Sequence, residues 1–129
     1  MLTSSSVSAI VFFVRDLERT HRFYRDVLGL KTQEMGGHEG AFLLAEAGNL
    51  SLVFLLADEP PGRSPVVVFG LEGGIDDVVD ALVRQNVEIV VPVSEAPDGG
   101  LTADFMDPDG HILSLHQEAG ALRRVGAAD

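Results

Sequence analysis

The sequence predicts an α+β fold: two βαβββ modules forming a curved mixed sheet around a cleft. Three observations predict it. The 129-residue chain reads strand, helix and three strands, and then reads that order again. A segment that cannot be regular structure, DEPPGRSP at 58–65, separates the two passes. Each pass supplies one helix, which covers only one face of its strands, so the other face must curl on itself or meet the other half. The boundaries that follow are a first module at 7–56, a linker at 57–65, a second module at 66–117 and a tail at 118–129, all within one domain.

In the first module, VSAIVFFV (7–14) is rich in Val, Ile and Phe and alternates poorly, as a strand buried on both faces would. Asp16 is placed to cap a helix. In LERTHRFYRDVL (17–28), Leu17, Thr20, Phe23, Tyr24, Val27 and Leu28 share one helical stripe, and Gly29 stops it. Strands follow at about 30–35, 41–46 and 50–56, with turns at Gly36-Gly37 and at Ala47-Gly48-Asn49.

The second module repeats the order. VVVFGL (66–71) is again a buried strand. IDDVVDALVRQ (75–85) is a helix with Ile75, Val78, Val79 and Leu82 inward, and Asn86 stands where Gly29 stood. Strands follow at about 88–93, 101–106 and 111–116, with Pro97-Asp98-Gly99-Gly100 and Asp107-Pro108-Asp109-Gly110 as turns. The tail, alanine-rich and ending VGAAD, reads as frayed with at most one helical turn.

Composition narrows the function. With 46% apolar residues the chain can bury a core, and no apolar run approaches the roughly 20 residues of a membrane helix. No membrane partner is expected. The start MLTSSSVSAI lacks a basic, apolar leader, which leaves the cytoplasm as the expected location. Without cysteine there is no disulfide, thiolate site or cysteine nucleophile. A net charge of −11, with Arg123-Arg124 the one basic cluster, argues against nucleic acid as a partner.

VRDLERTHRFYRDVLGL (14–30) and FMDPDGHILSL (105–115) resemble the two signatures of the vicinal oxygen chelate superfamily, which includes glyoxalase I, extradiol dioxygenases, and fosfomycin- and bleomycin-resistance proteins. The resemblance spans about residues 7–117 and implies the same paired-module fold. It also implies where metal ligands would stand in metal-dependent members: a His on the first strand of each half and a Glu or His on the last. Those positions are Ala9, Val66, Ser114, and Ser51 or Val53. None is a histidine or a carboxylate, so no cofactor is expected; the alternative is a divalent metal held by a displaced set such as His116 with Asp104.

The parity that the resemblance implies puts Ala9, Val11 and Phe13, then Val66, Val68 and Gly70, on the cleft side, joined by Ser51, Val53, Thr102, Asp104, Met106, Ser114 and His116. From these the expected ligand-binding set is Val11, Phe13, Ser51, Val53, Val66, Val68, Asp104, Met106, Ser114 and His116. Such a lining suits an apolar or aromatic small molecule oriented by a few hydrogen bonds. No catalytic residue is assigned: Ser51 and Ser114 lack a nucleophile elbow, and Asp76, Asp77 and Asp80 oppose phosphate at the second helix. The expectation is a homodimer that sequesters a small molecule, such as an antibiotic. The alternative is a metal-dependent lyase, isomerase or dioxygenase with a non-standard site.

Overall fold

In the computed structural model, residues 3, 4, 7, 9–37, 40–62 and 65–126 are described. The chain divides into two compact units, 1–61 and 62–129, with the break inside the expected linker. Each contains one four-stranded mixed sheet and one helix, the predicted βαβββ order.

The first unit comprises β1 (Ala9–Val14), α1 (Leu17–Arg22), β2 (Lys31–Gly37), β3 (Gly40–Ala47) and β4 (Leu50–Leu56). The strand order is β1-β4-β3-β2, with β1 parallel to β4 and the other pairs antiparallel. Asp16 caps α1 as expected, accepting the Arg19 N–H at 3.0 Å. The helix does not remain α-helical to residue 28. It widens into a π turn at Phe23–Val27, where the Leu28 N–H reaches back to the Phe23 carbonyl. The π turn buries adjacent Phe23 and Tyr24 together. Tyr24 lies 4.4 Å from Phe54, ring centre to ring centre, and Phe12 stacks on Phe54 at 5.4 Å. With Val14, Leu43, Ala45 and Leu52 these rings make the core of this unit. Gly36 and Gly37 are not the turn. They pair with Ala41 and Gly40, and the connection falls on residues outside those described, as does His38.

The second unit comprises β5 (Val67–Leu71), α2 (Ile75–Arg84), β6 (Ile89–Glu95), β7 (Leu101–Met106) and β8 (Ile112–Gln117), in sheet order β5-β8-β7-β6 with β5 parallel to β8. Pro92 lies inside β6, which an edge strand tolerates because one side of its backbone needs no partner; the register against β7 slips on both sides of Val91. Ile75, Leu82, Ala103, Phe105, Leu113 and Leu115 are the buried core.

Two further expectations are overturned. The first strands are not buried on both faces: Phe12 and Val14 are buried, whereas Val11 is 51% and Phe13 42% exposed, and in β5 Val68 is 56% exposed. Strand alternation applies despite the unbroken apolar run, because α1 or α2 covers only one side. The described part of the tail, 118–126, is also not frayed. It folds back along the start of α2 as a strap. Gly74, with φ of 79°, begins that helix without a side-chain cap, and a Cβ there would come within 2.7 Å of Val125. The strap supplies the cap instead. The Gly74 N–H donates to the Leu122 carbonyl and the Asp76 N–H to that of Arg123, while the Ile75 N–H donates to Oε1 of Gln117. Asp77 Oδ2 accepts the N–H groups of Val125 and Gly126, both at 2.7 Å. Arg123 grips Asp76 with two hydrogen bonds at 2.8 and 2.9 Å, and Arg124 reaches Asp77 and Asp80.

Candidate functional site

In the first unit the register fixes which side chains lie beside one another. On the face opposite the core, Val11 pairs with Val53, Val53 with Leu44, and Leu44 with Gln33. Ala9 pairs with Ser51, Ser51 with Glu46, and Glu46 with Lys31; Phe13 pairs with Leu55. Val11, Phe13, Ser51 and Val53 therefore lie on one face of this sheet. Leu44, Glu46 and Leu55 belong to it and were missed; the alternate positions of β3 and β4 carried that signal.

In the second unit the rungs of the corresponding face are Val68–Ser114–Asp104–Val91 and Gly70–His116–Thr102–Ser94, with Met106 beside Ile112. Val68, Asp104, Met106, Ser114 and His116 are thus brought together. Val66 is exposed and stands just before β5 rather than in it. Ser114 is 6% exposed, and its hydroxyl is turned back on the sheet, 3.2 Å from the Thr102 hydroxyl and 3.3 Å from the Ala103 carbonyl that accepts its proton.

His116 does not pair with Asp104, which sits opposite Ser114 one rung away. Its partner is Asp98, with Nε2 and Oδ2 2.8 Å apart. Asp98 comes from the β6–β7 turn, which closes tightly over the end of β8: a Cβ on Gly100 would collide with the Gln117 carbonyl oxygen, so only glycine fits. The Gly100 N–H, and secondarily His116, holds the Asp98 carboxyl below its usual range. An ionised carboxylate only accepts hydrogen bonds, so Nε2 donates, and in the neutral ring Nδ1 carries the lone pair. Sequence reading missed Asp98 because PDGG reads simply as a turn.

His111 and His21 are structural. His111 Nδ1 lies 2.8 Å from Asp107 Oδ2, while Asp107 Oδ1 accepts the N–H groups of Asp109 and His111, all inside the DPDGH turn. His21 joins α1 to β2 through Thr32 and Glu34.

At the end of the second sheet lies a hollow of about 550 Å³, lined by Gly70, Leu71, Glu72, His116, Glu118, Ala119 and Ala121. The strap builds one wall of it. Its counterpart in the first unit, about 450 Å³, is lined by Val14, Arg15, Leu56, Ala57 and Asp58.

A divalent ion does not fit the positions where metal-dependent relatives would hold one. Ala9 and Val66 have no donor atom, and the Ser114 hydroxyl is already engaged. Among the described residues no group of three His, Asp or Glu side chains could hold a metal ion. Glu46 comes beside Ser51, and its neighbour on the other side is Lys31, a cation and not a second ligand.

Comparison with solved structures returns the same fold. A member of the glyoxalase/bleomycin resistance protein/dioxygenase superfamily from Sphaerobacter thermophilus superposes with a TM-score of 0.76 at 21% identity, covering 88% of this chain and 98% of that one. A glyoxalase-related enzyme from Fulvimarina pelagi gives 0.73 at 22% identity, covering 88% of each chain. TnmS3, an antibiotic binding protein from a Streptomyces species, gives 0.74 at 23% identity, covering 89% and 97%. No curated protein matches the chain. The sequence model of one family matches residues 6–115, so the chain belongs to the Glyoxalase/Bleomycin resistance protein/Dioxygenase superfamily.

Proposed function

We propose that this protein is a metal-free small-molecule-binding member of its superfamily that sequesters an apolar or aromatic ligand, an antibiotic being one such class, and works as a homodimer. One observation carries this reading. On both sheets, the face where metal-dependent relatives would present ligands instead presents Val11, Phe13, Val53, Val68 and Met106 around a few hydroxyl groups and Asp104. Apolar bodies bind such surfaces by loss of water-exposed area, and scattered polar groups then set orientation. The similarity to an antibiotic binding protein agrees with this at the level of fold.

The test is binding of a neutral aromatic probe, 2-naphthol, to protein prepared without chelator and assayed for metal. Less than about a tenth of an equivalent of Mn, Fe, Co, Ni or Zn, together with saturable naphthol binding, is expected. Val11→Lys and Val68→Lys should abolish binding and leave stability within about 0.5 kcal/mol, since both side chains are exposed. Binding that survives both changes removes the ligand from these faces. Near one equivalent of metal, lost on His116→Ala, establishes the metal-dependent enzyme instead.

A further inference from the structure

The internal repeat exposes a difference between the two hollows. Register equates Val14 with Leu71 and Leu56 with Gln117, since Val14 pairs with Leu56 and Leu71 with Gln117. Glu72 therefore stands in the place of Arg15, Glu118 in that of Ala57, and Ala119 in that of Asp58. In the first unit the hollow neutralises itself: Arg15 Nε lies 3.2 Å from Asp58 Oδ1. In the second unit the cation is replaced by a carboxylate. Neither Glu72 nor Glu118 has an ion-pair partner among the described residues, and His116 is held beside them by Asp98.

We propose that the hollow at the end of the second sheet is a subsite for a protonated amine, such as an alkylammonium group on the sequestered ligand. It rests on the small-molecule-binding reading and names the chemistry of one end of that ligand. With His116 Nε2 turned to Asp98, Nδ1 is the ring nitrogen left to accept an ammonium N–H. Glu72 and Glu118 supply the opposite charge. Gly70, Leu71, Ala119 and Ala121 give the adjoining carbon atoms a small apolar seat, and a Cβ built on Gly70 would meet nothing within 4 Å, so the space above it is open. Two carboxylates, with no lysine or arginine in the lining, select a cation over a carboxylate or phosphate of equal size.

The experiment titrates the full-length, ¹⁵N-labelled protein with benzylamine, benzyl alcohol and benzoate, three probes of similar shape and different charge, at about pH 8, above the ordinary imidazole range. Benzylamine should shift the amides of Gly70, Leu71, Ala119 and Ala121 saturably and bind roughly fivefold tighter than the alcohol, and benzoate should shift none of them. Glu72→Arg restores the cation that the first unit carries at this position and should remove benzylamine binding while sparing the alcohol. Glu118→Gln should weaken benzylamine by roughly threefold. Both positions are exposed, so neither variant threatens the fold. Equal affinity for amine and alcohol, non-saturating shifts spread over the acidic surface, or benzylamine binding unchanged in Glu72→Arg overturns the subsite. If the alcohol saturates at Val68 and Met106 while the hollow stays silent, the subsite is wrong and the apolar-ligand reading stands. If no probe saturates on either sheet face or in the hollow, both fall.

Discussion

Gln117 joins the last strand, the start of α2 and the strap, and its replacement by methionine is the sharpest test of how the second unit is built. The side chain is 1% exposed. Its Oε1 accepts the Ile75 N–H at 3.0 Å, and its Nε2 donates to the Ala121 carbonyl at 3.2 Å. Methionine nearly conserves the volume, so no cavity term enters. What is lost is the partner of a buried helix N–H, about 1–3 kcal/mol, and a second hydrogen bond of about 1 kcal/mol. Gln117→Met should therefore destabilise by about 2–4 kcal/mol, a fall in Tm of roughly 10 °C for a chain of this length. Gln117→Glu keeps the acceptor for Ile75 and loses only the donor, so its effect should be smaller. Urea unfolding gives the magnitudes, and amide exchange at Ile75 and Ala121 locates them. A methionine variant within about 0.5 kcal/mol of wild type, with Ile75 as protected as before, would show that the Gln117 side chain does not cap α2.

Two further predictions concern the same corner of the molecule. The Asp77 carboxyl is held below its ordinary range by the N–H groups of Gly126 and Val125, and the Asp76 carboxyl by its hydrogen bonds with Arg123. A carboxylate with a lowered folded pKa contributes stability above its unfolded pKa and loses it as pH falls through the folded value. The strap should stay closed at neutral pH and loosen below about pH 4, seen as lost protection of the Val125 and Gly126 amides after correction for intrinsic exchange; protection that rises on acidification refutes this. Gly100→Ala should push the β6–β7 turn off β8 and break the Asp98–His116 hydrogen bond, with a loss of about 1–3 kcal/mol and a changed His116 ring spectrum. An unchanged spectrum would show that Asp98 does not orient the ring.

What could be read in the sequence was whatever leaves a local or periodic trace. Asp16 was legible as a cap because cap chemistry lies within one helical turn. Gly29 and Asn86 were legible as stops because each takes a left-handed backbone, with φ of 76° and 62°. The parity of β1 and β5 followed from alternation once the family motifs fixed the phase. The π turn at Phe23–Val27 was not legible, because the aromatic pair fits an α stripe equally well and only the Tyr24–Phe54 packing decides between them. The strap was illegible for a different reason. Asp77 meets Val125 and Gly126 across 48 and 49 residues, through backbone N–H groups that every sequence possesses. The same holds for Asp98 and His116, 18 residues apart, and for the exchange of Arg15 for Glu72 between the modules. Ala9 and Val66, at positions where the resemblance implies ligands, are legible in the sequence alone. The pairings at strand ends leave no such trace, and they emerge only when the two halves are laid on one another by register.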